Sequence, residues 1–185
     1  MLIQLADFLI KTVCSFWLGL FLIRFYCLLI KFNLGLMGGN LGHFIFRLTD
    51  WAVLPLRKIL PKFGSFDFPT LINAYFAQYL VLFFHYFLST GQLPEYVLFV
   101  IGLFELIASI ISAVTWLIVI YVVISWISAK EEIKYFFETL VIPLLKPIRK
   151  IVPLIGGIDL SAFFLLLLLQ FINIILMNIK TMFIF

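Results

Sequence analysis

The sequence PLRKILPKFGSFD, residues Pro55–Asp67, returns nearly unchanged as PIRKIVPLIGGID, residues Pro147–Asp159. Both copies read P-x-R-K-I-x-P-x-x-G-x-x-D, at an offset of 92 residues, the difference between 147 and 55. Apolar matches are common by chance in a chain that is 65% hydrophobic, but proline, arginine, glycine and aspartate are scarce in it. The pattern therefore indicates an internal duplication, with residues 1–92 as the first repeat and 93–185 as the second.

Each copy of the motif lies between two long apolar runs. The four runs are Val13–Ile30, Thr70–Leu88, Val97–Ile127 and Ser161–Asn178. About 20 apolar residues are enough to cross the hydrocarbon core of a bilayer. Only 12% of the residues are charged, against about 25% in a soluble domain. We predict an all-α integral membrane protein of about four transmembrane helices, arranged as two tandem helix–basic loop–helix repeats with the same orientation.

The third run is too long for a single upright span. Such a helix either tilts, extends into the interface or kinks, and Gly102 is the natural place for a kink. The pattern leaves these alternatives open.

Positive charge is concentrated in two of the three connections. Ten of the thirteen Lys and Arg residues lie in segments 31–69 and 129–160, whereas the short connection contains only Glu95 as a charged residue. The positive-inside rule predicts that both long connections are cytoplasmic, and that the termini and the short loop lie outside. The net charge of +4 then points to anionic lipid headgroups as a partner, and no direct nucleic-acid binding is expected.

The duplicated motif resembles that of the YggT (YlmG) family of small membrane proteins. Gly156–Ser161 (GGIDLS), the Ser125-Trp126 pair and Arg24 in the first span are similar to features of that family, and the resemblance covers the whole chain. Two positions depart from it. Tyr121 stands where the second copy would carry the arginine, and Leu28-Leu29 replaces Ser-Trp in the first copy.

A third departure concerns the Thr-x-Pro pattern that precedes the basic motif. The first copy has Thr49 and Trp51, whereas the second has Val141 and Pro143. The two copies are therefore not expected to have equal roles.

The resemblance implies a bacterial cytoplasmic (inner) membrane protein linked to osmotic tolerance, cell division or cofactor assembly. We expect a non-enzymatic anchoring or assembly factor, with protein partners at the membrane or in the cytoplasm and with homo-oligomers as an option. The alternative is a small oligomeric channel that affects ion balance. Neither reading requires a cofactor or a metal.

The candidate functional residues of the motif are Arg57, Lys58, Arg149 and Lys150. Their bracketing prolines predict a short or broken helix whose apolar residues lie at the headgroup boundary. The basic side chains then act as a lipid anchor, as a docking surface for a cytoplasmic partner, or as part of a re-entrant element.

Two aspartates follow the motif at the entry to the next span. Asp67 and Asp159 are predicted to cap the helix N-termini, and a salt bridge from each to Arg57 or Arg149 fits the same turn.

Three polar residues are predicted within the spans. Gln78 and Gln170, again 92 residues apart, are expected to face the bundle interior and to join helices. Arg24 is expected to extend to lipid phosphate, since Glu105 is too far along its helix to pair with it. His43 and His85 are interpreted as isolated residues.

Overall fold

The structure is a computed structural model that describes residues 1–34, 39–60, 66–89, 95–127, 130–152 and 160–184. These segments contain six helices and no strand, which confirms the all-α prediction. The helices are α1 (Leu2–Leu29), α2 (Gly39–Ile59), α3 (Phe68–Ser89), α4 (Glu95–Trp126), α5 (Glu131–Arg149) and α6 (Ser161–Ile184).

Four of these helices are long and apolar enough to cross a membrane, as predicted. The apolar stretches are Ile3–Leu29, Phe68–Leu88, Val97–Trp126 and Ser161–Met182. The first begins earlier than the predicted Val13. Asp7 and Lys11, one helical turn apart, form an ion pair at 2.9 Å, and this neutralises two charges that made the start look polar.

The long third run forms one uninterrupted helix. Gly102 lies within α4 with Tyr75 of α3 beside it, and an added Cβ would come 3.2 Å from the Tyr75 ring. Glycine at this position therefore serves a close approach between α3 and α4.

Residues Met1–Ile107 and Ala108–Phe183 form two compact units. In the first unit α1 and α3 pack side by side in opposite directions. At one end the Phe25 and Phe66 rings meet edge to face at 5.1 Å between centroids, and at the other Lys11 lies 2.9 Å from His85. The first hairpin is therefore antiparallel along most of its length.

Helix α2 packs against the body of this hairpin. The Leu48 carbonyl accepts hydrogen bonds from the indoles of Trp17 (3.2 Å) and Trp51 (2.8 Å), and the Ala52 carbonyl accepts one from Asn73 (3.3 Å). Trp17 lies twelve residues before the end of α1, about 18 Å along the helix at 1.5 Å per residue. The middle of α2 thus lies alongside the spans rather than beyond their ends.

The second unit has an apolar centre. Ile118 of α4, Val141 and Leu145 of α5, and Ala162 and Leu165 of α6 pack into one buried cluster. These contacts hold α5 against both flanking helices.

Both basic segments are longer helices than the prolines suggested. Helix α2 continues through Pro55, and α5 continues through Pro143 and Pro147. Pro55 removes one backbone hydrogen bond from α2, and burial of the neighbouring Val53 offsets this loss. In α5 the packing of Val141 and Leu145 offsets the missing bonds, so the prediction of a short or broken helix is wrong.

Candidate functional site

Arg24 and Asp67 are the most enclosed charged residues in the described part of the chain, each 1% exposed. Arg24 lies on α1. Its Nη1 donates to the Thr49 hydroxyl at 2.5 Å and lies 2.7 Å from Asp50 Oδ1. The Phe46 ring covers the guanidinium, with Cζ 4.8 Å from the ring centroid. An internal ion pair therefore takes the place of the lipid contact expected for Arg24.

The spacing of α2 explains why these partners converge. Phe46, Thr49, Asp50 and Val53 occur at helical positions i, i+3, i+4 and i+7, so they share one face of the helix. That face lies against α1. The Thr49 hydroxyl donates to the Ile45 carbonyl at 2.6 Å, which leaves its lone pairs directed at Arg24.

The predicted ion pair of the first motif is present. Arg57 Nη2 lies 2.6 Å from Asp67 Oδ2, and the Thr70 hydroxyl donates to the same oxygen at 2.5 Å. The Thr70 amide also donates to the Asp67 carbonyl at 3.1 Å. Pro69 suits the first turn of α3 because it has no N–H to satisfy. Asp67, at 1% exposure, therefore joins the end of α2 to the start of α3.

The two arginines belong to one electrostatic environment. The charges of Arg57 and Asp67 act on the Arg24 guanidinium in addition to that of Asp50. The Nε atoms of Arg24 and Arg57 are both buried, and no acceptor among the described residues reaches either of them. We call Arg24, Thr49, Asp50, Arg57 and Asp67 the arginine network.

The second unit replaces most of this network by apolar residues. A model of the family that the motif resembles aligns the starts of the two repeats, residues 3 and 100, at an offset of 97 residues and their ends, residues 88 and 180, at 92. Tyr121 therefore stands at the position of Arg24, and Val141 and Ile142 stand at those of Thr49 and Asp50. Val141 is fully buried, and Tyr121 packs against its cluster. The first unit thus buries charged side chains at positions where the second unit buries mainly apolar ones.

The same change extends to α3 and α6. Thr70 and Asn73 bind backbone or side-chain oxygens in the first unit, whereas their counterparts Ala162 and Leu165 belong to the apolar cluster of the second. The difference therefore involves three helices and is a property of the whole core.

The ends of the basic helices retain their charge in both units. Lys58 is exposed at the end of α2, and Arg149 and Lys150 are exposed at the end of α5. Arg57 is less accessible, since only 23% of its side chain is exposed, and it forms an ion pair with Asp67. Asp159 lies outside the described residues.

The two glutamines are placed differently. Gln78 is 7% exposed, within the first unit, whereas Gln170 is exposed on α6. Gln78 thus lies in the interior of its unit, whereas Gln170 does not lie in the interior of the second unit.

His85 is not isolated, in contrast to the interpretation from sequence. Its Nδ1 lies 2.9 Å from Lys11 Nζ and 3.1 Å from Asp7 Oδ1. The spacing of Asp7 and Lys11 by four residues was the available signal for a polar cluster at this end of α1. The three side chains link α1 to α3 opposite the arginine network.

The substitution Asp67→Asn is expected to lower the free energy of unfolding by about 2 kcal/mol, because it leaves the Arg57 charge without its counterion. Detergent-solubilised protein titrated with a denaturing surfactant provides the measurement. The double variant Arg57→Met Asp67→Asn should lose less than the sum of the two single variants, by about 1 kcal/mol. Strict additivity would contradict an energetic link between α2 and α3.

Sequence comparisons are consistent with this architecture. The CCB3/YggT family model matches residues 3–88 and again residues 100–180. An uncharacterized protein in the proC 3′ region of Vibrio alginolyticus is 30% identical over 175 residues, which cover 92% of each chain. The uncharacterized protein YggT of Escherichia coli K12 is 34% identical over 136 residues, 71% of this chain and 69% of that protein. An uncharacterized protein of Haemophilus influenzae is 34% identical over 131 residues, 70% of each chain. No solved structure matches the chain.

Proposed function

This chain belongs to the CCB3/YggT family of membrane proteins, and from that premise we propose that it is a non-enzymatic factor that anchors and assembles other components. Its binding surfaces are the exposed basic ends of α2 and α5. They face the cytoplasm at the bacterial inner membrane, with both termini outside. The first partner is an anionic lipid surface, and the second is a protein held against it.

The observation that carries this proposal is the repeated placement of basic ends. Each amphipathic helix buries an apolar face, through Val53 in α2 and through Val141 and Leu145 in α5, all fully buried. The C-terminal ends leave Lys58, Arg149 and Lys150 exposed. Basic residues near an anionic leaflet contribute roughly 1 kcal/mol each to attraction.

Arg57 has a different role from its neighbour. Its pairing with the nearly inaccessible Asp67 makes it part of the arginine network, so its replacement would disturb the fold as well as the surface. Lys58 is therefore the residue of the first motif that tests binding.

The decisive variant reverses three exposed charges, Lys58→Glu, Arg149→Glu and Lys150→Glu. Since reversal turns attraction to an acidic partner surface into repulsion, we expect at least a tenfold loss of proteins captured by cross-linking in native membranes. The matched control is Lys31→Glu, Lys130→Glu and Lys134→Glu, which reverses three exposed lysines in the same two connections but outside the motif.

Capture that is lost in the motif variant and retained in the control would support the proposal, provided that both variants insert at equal levels. An equal loss of capture in both variants would show that net charge, and not the motif, determines capture. Retention in both would refute a docking role. Selective ion flux through the purified protein in liposomes would instead favour a channel.

A further inference from the structure

Helix α2 lies partly within the depth of the bilayer. Near its middle, the Ala52 carbonyl accepts a hydrogen bond from the Asn73 amide at 3.3 Å. Asn73 lies five residues after the start of the apolar stretch Phe68–Leu88, about 8 Å into the membrane at 1.5 Å per residue. Exposed side chains on the middle of α2 therefore face lipid, or a protein that takes the place of lipid.

The exposed face of α2 is divided lengthwise into two sectors. At 100° per residue, the exposed apolar side chains fall within an arc of about 80°, and the exposed basic side chains fall within the neighbouring arc of about 60°. The apolar sector consists of Leu41, Phe44, Trp51, Pro55 and Ile59, and the basic sector consists of His43, Arg47 and Lys58. Leu54 is an exception, because it lies among the basic residues. The opposite side of the helix, with Ile45, Thr49 and Val53, is buried in the first unit.

A bilayer interface has the same two layers, since phosphate groups lie above the acyl chains. Amphipathic helices in the interface direct basic residues towards the phosphates and bury apolar residues about 5–10 Å into the acyl boundary. Trp51 is 63% exposed and suits the acyl layer, because its indole N–H already donates to the Leu48 carbonyl at 2.8 Å. Contact with hydrocarbon therefore leaves no hydrogen bond of this ring unmade.

The charges of the exposed face complement lipid phosphate. Its ionisable residues are all basic, since the one acidic residue of α2, Asp50, is paired with Arg24. Neither Arg47 nor Lys58 forms an ion pair with a described residue. These two side chains lie eleven residues apart, about 17 Å along the helix, which is too far for both to bind one phosphate.

Helix α5 of the second unit lacks this division. At an offset of 92 residues, Arg47 is replaced by Thr139, and Phe44 by Phe136, which is buried. The exposed start of α5 also contains two acidic residues, Glu131 and Glu132. The two-sector face is therefore a property of α2 and not of the duplicated motif.

We propose that α2 binds phospholipid along its exposed face. Acyl chains pack against the apolar sector, and Arg47 and Lys58 each bind the phosphate of a different lipid. The site adds the length of α2, and an arginine outside the basic motif, to the lipid partner of the proposed function. It rests on that part of the proposed function alone, so a failure to capture proteins would leave it intact.

Adjacent residues in the two sectors provide the test. In a Cys14→Ala Cys27→Ala background, His43→Cys and Phe44→Cys are labelled with a nitroxide in the full chain. The protein is reconstituted in vesicles of phosphatidylethanolamine and phosphatidylglycerol. Both native side chains are exposed, and they point about 100° apart. Collisions with oxygen, which concentrates among acyl chains, should dominate at position 44, whereas collisions with a water-soluble nickel complex should dominate at position 43.

Every other outcome of the collision measurement overturns the proposal. Nickel-dominated collisions at both positions would place α2 in water, and oxygen-dominated collisions at both would remove the phosphate layer from the basic sector. The reverse order would contradict the assignment of the sectors. Low collision rates with both reagents at position 44 would show that a protein, such as a second copy of this chain, covers the face.

A second measurement concerns Arg47 itself. Arg47→Gln should weaken the binding of phosphatidylglycerol to the detergent-solubilised protein about fivefold, the effect of one basic residue near anionic lipid. Native mass spectrometry counts the lipids that remain bound. The matched control is Lys134→Gln, which removes one exposed charge near the start of α5 and should leave binding unchanged. Unchanged binding in Arg47→Gln, or an equal loss in both variants, would overturn the role of Arg47.

Discussion

Replacing Asp50 with isoleucine is expected to lower the free energy of unfolding by about 3 kcal/mol, because it leaves a charged guanidinium enclosed without its counterion. Arg24 is 1% exposed and Asp50 38% exposed. The loss of stability therefore comes from the buried, unpaired arginine and not from removal of the partly solvated carboxylate. The Thr49 hydroxyl remains as an uncharged acceptor and compensates only part of the charge. Surfactant titration of the purified protein measures the change.

The second unit supplies the compensating variant. The triple substitution Arg24→Tyr, Thr49→Val and Asp50→Ile introduces the residues that occupy these positions in the other copy. Replacing a buried ion pair by packed apolar groups is often neutral or stabilising. The triple variant should therefore recover most of the stability that Asp50→Ile loses.

A triple variant as unstable as Asp50→Ile would show that the two cores are not interchangeable. A stable triple variant has a further use, since it removes the charge of Arg24 without unfolding the protein. Loss of cross-linked partners from that variant would assign the arginine network a part in binding.

Gly42→Ala is the second change with a large expected effect. An added Cβ would overlap the carbonyl oxygen of Leu34 and lie 2.8 Å from its carbonyl carbon. Main-chain atoms cannot rotate away as a side chain can, so the start of α2 must shift. We expect a loss of about 3 kcal/mol, at the upper end of the range for overpacked sites.

Gly19→Ala is the control for Gly42→Ala. No heavy atom outside its own helix lies within 4 Å of an added Cβ at Gly19. Alanine favours helix over glycine by about 1 kcal/mol, so this variant should be neutral or stabilised. Thermal unfolding of the two variants side by side provides the comparison, and equal midpoints would contradict the close approach at Leu34.

The spans and the Arg57–Asp67 pair were predictable because each depends on local sequence. A run of apolar residues specifies a membrane helix whatever its neighbours are. Arg57 and Asp67 stand ten residues apart, and the proline and glycine between them in the sequence are typical of a turn.

The Arg24–Asp50 pair was not predictable by the same route. Hydropathy places Asp50 in a connection outside the membrane, which leaves Glu105 as the apparent counterion within the spans. The amphipathic face of α2, with Val53 three residues after Asp50, was the signal that this helix packs against a span. Contacts between helices depend on packing that spacing along one helix does not reveal.

Gln170 illustrates the same limit of local reasoning. Its match to Gln78 at an offset of 92 residues suggested equal environments. The environments differ because burial depends on what covers the face of each helix, and the sequence of one helix does not show this.

The length of the uninterrupted helix α4 makes the protein sensitive to the thickness of its membrane. Its apolar stretch of 30 residues is about 45 Å long, half as long again as a typical hydrocarbon core of about 30 Å. In a thin bilayer such a helix must tilt steeply or place apolar side chains among the headgroups. Each ångström of mismatch between helix length and hydrocarbon thickness costs a fraction of a kcal/mol. Lipids with longer acyl chains reduce this mismatch, so the protein should be enriched where the bilayer is thickest.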